Sequence, residues 1–100
     1  MNKDLRYNEL FDVYGKLLTD KQREIFSSYF DYDLSLSEIA ESQGTTRQNV
    51  YDAVKKVKEK LDEYEKILRL ASKNSQITEI AEEVGKTDKG LAGRIMELKA

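Results

Sequence analysis

A chain of 100 residues without cysteine or histidine has room for one core, and it lacks disulfides, thiolate nucleophiles, Cys/His metal sites and the usual neutral-pH general base. Nineteen acidic residues against 17 basic ones leave a net charge of −2, which argues against tight binding to a polyanion through bulk charge, so any nucleic-acid contact has to come from a local patch. Most catalytic layouts are thereby excluded, no cofactor or metal is expected, and the expectation is a protein that is not an enzyme.

The N-terminal stretch MNKDLRYNELFDVYG has early acidic residues and no long apolar run. It reads as neither a signal peptide nor a membrane span, which makes the cytoplasm the expected setting. Proline is absent and apolar residues recur at helical spacing nearly throughout, so the chain reads as all-α. Tyr7, Leu10, Phe11, Tyr14, Leu17 and Leu18 fall on one face of a first helix. Thr19 and Gln22 form a capping box that opens a second, whose buried face is Ile25, Phe26, Tyr29 and Phe30. DYDLS then supplies turn-prone residues.

Ser35 and Glu38 repeat the capping-box pattern and predict a short helix from Leu36 to Gln43 that buries Ile39 and Ala40. Gly44 ends it, because glycine takes a left-handed backbone conformation without a Cβ clash. Thr45 or Thr46 caps the next helix, which meets no breaker before Leu68 and is therefore a rod of roughly 33 Å. Along it Val50, Val54, Val57, Leu61, Tyr64 and Leu68 form a heptad-like seam. The distal part, Leu61, Tyr64 and Leu68, needs a partner surface, supplied either by the C-terminal segment or by a second chain in a homodimer.

ASKNSQ, residues 71–76, reads as a polar connection. Ile77, Ile80, Ala81 and Val84 mark a fifth helix, Gly85 with Thr87 and Asp88 a break, and Leu91, Ile95 and Leu98 a sixth. The expected domain is the whole chain, 1–100, with a helix-turn-helix lobe and long helix over 1–68 and a C-terminal hairpin over 71–100.

Two short helices meet at a sharp angle when the residue facing the partner is small, the turn is permissive and the second helix returns a branched apolar side chain. Ala40, Gly44 and Val50 meet those conditions, with two caps, a two-helix platform before them and a basic patch after them. Residues 45–60 carry 5 basic and 2 acidic groups, whereas residues 1–44 carry 5 and 9, so positive charge is concentrated after the motif. Thr46, Arg47, Gln48, Asn49 and Tyr51 are the candidate contacts in a major groove, with Lys55 and Lys56 on the phosphates. Lys58 and Lys60 read as a solvated face, and Asp52 counts against phosphate contact. Ala81, Gly85 and Leu91 echo the spacing, but Asp88 stands at the place of Arg47 and Lys89-Gly90 at that of Gln48-Asn49. The echo is expected to be a hairpin covering the long helix rather than a second reading head.

The stretch LLTDKQREIFSSYFDYDLSLSEIAESQGTTRQNVYDAVKKVKEKLDEYEKIL, with LFDVYGKLL before it, resembles the YlxM family of small bacterial helix-turn-helix proteins, itself similar to region 4 of sigma factors. The likeness covers residues 5–68 and thins beyond Leu68. Gln43 and Thr45 depart from the family pattern, which suggests a looser turn. The resemblance implies a DNA-binding regulator with a role in the signal recognition particle pathway, or alternatively a binder of that particle's GTPase or RNA.

Overall fold

The computed structural model describes residues 5–100; residues 1–4, on which part of the reading against a leader or membrane span rests, lie outside the described residues. Six α-helices follow one another: α1 (Arg6–Tyr14), α2 (Asp20–Phe30), α3 (Leu36–Gln43), α4 (Arg47–Leu68), α5 (Leu70–Gly85) and α6 (Lys89–Met96), with a 3-10 turn at Gly15–Leu17. No strand occurs among the described residues, so the protein is all-α as expected. None of its helices is long and apolar enough to cross a membrane among the described residues. The chain divides into two compact units, Met1–Tyr64 and Glu65–Ala100.

In the first unit the expected caps form. Thr19 accepts from the Gln22 N–H at 3.2 Å while the Gln22 side chain accepts from the Thr19 N–H at 3.0 Å. Ser35 and Glu38 make the same reciprocal pair at 3.0 and 3.1 Å. Each box satisfies two helix-start N–H groups that would otherwise be orphaned. Between them α2 buries Ile25, Phe26 and Tyr29, and α4 buries Val50, Val54, Val57 and Leu61, of which Phe26, Val54, Val57 and Leu61 are 0% exposed. Fully burying one such side chain contributes about 1.5–3 kcal/mol. The Phe26 ring sits 5.0 Å from Phe11 and stacks on Phe30 at 4.4 Å.

α1 is tied to α4 by a polar cluster. Tyr7 donates to one Asp62 oxygen at 2.7 Å and Arg6 to the other at 2.8 Å. Both ion-pair members are well exposed, so the Arg6–Asp62 pair adds at most about 1 kcal/mol. Partial burial raises the Tyr7 phenol above its ordinary pKa, and the hydrogen bond to the Asp62 carboxylate raises it further. Leu17 was expected on the buried face of α1 but is 54% exposed. Tightening to a 3-10 turn at Gly15 changes the rotation per residue, so Leu18 keeps its expected buried place while Leu17 turns to solvent.

In the second unit one expectation fails. ASKNSQ is not a connection, because α5 already begins at Leu70 and Arg69 alone breaks the chain, at φ 54° and ψ 29°. Glu65 explains why the polar stretch is helical: its two carboxylate oxygens accept the N–H groups of Ala71 at 3.0 Å and Ser72 at 3.1 Å. A carboxylate at a helix start satisfies orphan donors and complements the dipole. The buried Asn74 side chain then exchanges two hydrogen bonds with the backbone of Ala100, accepting at 2.8 Å and donating at 3.3 Å.

Candidate nucleic-acid interface

Local chemistry builds the turn between α3 and α4. Gly44 adopts φ 68° and ψ 36°, the left-handed conformation that lets α3 end within one residue. Its N–H and that of Thr45 fold back toward α3, with Thr45 reaching the Ala40 carbonyl at 2.9 Å. Thr46 is the cap of α4: its hydroxyl accepts from the Asn49 N–H at 3.1 Å and its carbonyl from the Val50 N–H at 3.1 Å. Ala40 and Val50 are buried at 5% and 1% exposure, so the small residue and the branched one occupy the places the motif assigns them.

With Val50, Val54, Val57 and Leu61 facing inward, a rotation of about 100° per residue turns Gln48, Asp52, Lys55 and Lys56 outward, with Arg47 and Tyr51 on one shoulder and Asn49 on the other. Thr46, Arg47, Gln48, Asn49, Lys55 and Lys56 are exposed and Tyr51 is half-exposed. The side chains differ in how far they are already engaged. Asn49 donates to the Thr45 hydroxyl at 2.9 Å, which directs its amide back to the turn. Gln48 donates to Asp52 at 3.0 Å, so the carboxylate is held by a neighbour on its own helix. Arg47 has no hydrogen-bond or ion-pair partner among the described residues, which leaves its full fork of donors open.

The two lysines set aside as solvated differ from each other. The Lys58 ammonium lies 5.2 Å from the Tyr7 ring centre and 5.6 Å from that of Phe30, a cation–π position that commits it to packing α4 on α1 and α2. Lys60 is half-exposed. A shallow groove also opens beside the turn, lined by Lys21, Gln22, Ile25, Thr45, Asn49, Val50 and Ala53. It brings Lys21 next to the start of α4. Sequence reasoning missed this residue because Lys21 lies 26 positions before Arg47 and only the packing of α2 against α4 joins them. Its sole sequence signal is a basic residue in the first turn of a capped helix. Of the distal seam, Leu61 is fully buried, Tyr64 is half-buried with its ring 5.9 Å from that of Tyr14, and Leu68 is 46% exposed. No group of three or more carboxylates among the described residues could hold a metal ion.

The echo is a helical hairpin with a different turn. α5 runs through Gly85 in ordinary helical conformation, and Asp88, not Thr87, caps α6 by accepting from the Leu91 N–H at 3.0 Å. Leu91, the counterpart of Val50, is 42% exposed.

Over residues 1–99 the chain matches the family described as "Putative helix-turn-helix protein, YlxM / p13 like". It is 45% identical over 84 residues to a UPF0122 protein of Halalkalibacterium halodurans, covering 84% of this chain and 77% of the relative. It is 49% identical over 73 residues to one of Shouchella clausii, covering 73% and 67%. A relative from Oceanobacillus iheyensis aligns over nearly the whole of both chains, at 41% identity over 101 residues, 99% of this chain and 96% of its own. The chain belongs to this family, UPF0122.

Proposed function

We propose that this UPF0122 protein is a non-enzymatic regulator of the cytoplasm that binds duplex DNA with the first turns of α4 in the major groove. One observation carries the reading: Arg47 is exposed and unpaired among the described residues at the first position of a capped helix, with Lys55 and Lys56 two turns further along the outward face. A guanidinium placed there bonds guanine O6 and N7 bidentately. Thr46 and the free N–H groups of the helix start take a phosphate, and the two lysines take others. Gln48 reads an adenine once it releases Asp52, an exchange of one exposed hydrogen bond that costs about 1 kcal/mol. Tyr51 and Asn49 complete the contact from the two shoulders.

The test is binding of the purified chain to random duplex DNA and random RNA pools across salt. On this reading duplex is retained, Arg47→Ala costs about 1–3 kcal/mol and relaxes preference at one base pair, and Lys55→Ala weakens all sequences alike while lowering the salt slope by about 1. If no salt-dependent binding to duplex occurs near ~50 mM salt, the reading fails. A second reading, attachment to the GTPase or RNA of the signal recognition particle, is favoured by the exposed Asp52 among the lysines and by the net charge of −2. Retention of that GTPase or RNA in a pull-down, with no retention of duplex, would replace the first reading with the second.

A further inference from the structure

The unit Glu65–Ala100 leaves much of its apolar surface uncovered: Ile80 is 56% exposed, Leu91 42% and Leu98 72%. Single exposed apolar residues are ordinary. These, however, sort with charge. On α5, Ile80 and Val84 form a shallow groove whose rim is Glu79 and Glu83, one helical turn apart. On α6 and the turn after it, Leu91, Arg94 and Leu98 recur at intervals of three and four, which makes a ridge of two leucines around a guanidinium. Glu79, Glu83 and Arg94 have no ion-pair or hydrogen-bond partner among the described residues.

One hairpin thus presents an apolar groove with an acidic rim and an apolar ridge with a basic centre. An isologous two-fold interface requires this kind of self-complementarity, since whatever one copy offers at i the other must accept at j, and the reverse. We infer that the α5–α6 hairpin is a homodimer interface, in which the Leu91–Arg94–Leu98 ridge of each copy lies in the Glu79–Ile80–Glu83–Val84 groove of the other. Arg94 meets the partner's acidic rim, so the pairing is made twice, and the leucines leave water on both sides. Burial of apolar side chains supplies the attraction, while the charges select the second copy over other apolar partners. The inference goes beyond the reading of α4 and stands or falls without it.

Sedimentation equilibrium of the full chain tests it, with circular dichroism as the check on folding. The wild type is expected to dimerise at about 100 µM, and Arg94→Glu, or Glu79→Arg with Glu83→Arg, to weaken dimerisation by ~10-fold or more. Combining all three swaps in one chain restores opposite charges at every contact and should return the dimer. Leu98→Lys, at a position the fold leaves open, should also yield monomer, which keeps the test decisive if a charge swap unfolds the hairpin. A monomeric wild type, an Arg94→Glu variant as dimeric as wild type, or a triple variant that stays monomeric would overturn the inference.

Discussion

At Gly44 the backbone enters the left-handed region and the next helix begins at Arg47, whereas at Gly85 it is still helical and the next helix begins at Lys89. The two segments share the spacing of alanine, glycine and branched apolar residue, yet their second helices are out of register by one residue. Thr46 caps α4, so Val50 is the fourth helical residue and turns inward to 1% exposure. Asp88 caps α6, so Leu91 is only the third and is rotated away by about 100°. The fourth residue of α6 is Ala92, and its Cβ lies 3.4 Å from where a Cβ on Gly85 would be. Identical spacing in sequence therefore does not make identical turns. The cap decides which side chain faces the partner helix.

The largest expected difference between the two turns concerns that inward residue. Val50→Ala should destabilise the protein by about 2 kcal/mol in a urea titration, because it removes buried methyls from a packed site. Leu91→Ala should cost less than about 1 kcal/mol. Equal losses would mean that the two helices are in the same register.

The glycines should differ in sign. Gly44→Ala forces a Cβ into the left-handed region and should cost about 1–2 kcal/mol, although nothing lies within 4 Å to clash with it. Gly85→Ala is made in helical backbone and should be neutral or stabilise by up to about 1 kcal/mol, the gain in helix propensity being set against the 3.4 Å contact with Ala92. A loss at both positions would show that the close approach of Ala92 to Gly85 outweighs the gain in helix propensity.

The caps are where the two turns should agree. Thr46→Ala and Asp88→Ala each remove one side-chain acceptor from a helix-start N–H and should each cost about 1 kcal/mol, read by denaturation. A much smaller effect at Asp88 would remove the cap as the cause of the register difference.

The smallest effect separates the units by pH. The folded-state pKa of Tyr7 is raised above its ordinary value of 10.0, so the stabilisation it lends is fully present below that pH and is lost as pH rises through the folded value. Residues 65–100 contain no tyrosine, so alkaline loss of this contribution is confined to the first unit. Tyr7→Phe should abolish it, as followed by amide exchange across alkaline pH.

Much of the fold was legible in the residues because capping is local. The boxes at Thr19–Gln22 and Ser35–Glu38, the glycine at 44 and the threonine pair at 45–46 place three helix starts and one helix end through bonds between neighbours in the chain, with the structure choosing Thr46 as the cap. The outward direction of Gln48, Lys55 and Lys56 follows from the same boundaries and the helical repeat, whereas Arg47 is exposed on a shoulder at the helix start.

What tertiary structure alone decided involves groups that meet across elements. Glu65 makes ASKNSQ helical from the far side of a break at Arg69, where local composition points to a connection. Lys58 is drawn over the rings of Tyr7 and Phe30, and Asp62 is claimed by Arg6 and Tyr7 more than 50 residues away. Sequence alone determined α2, α3, the start of α4 and the turn between them, since the bonds that cap them span three to five residues. Only folding could settle which side chains those helices bury, hold or leave free, because that depends on rotation about each axis against a neighbour.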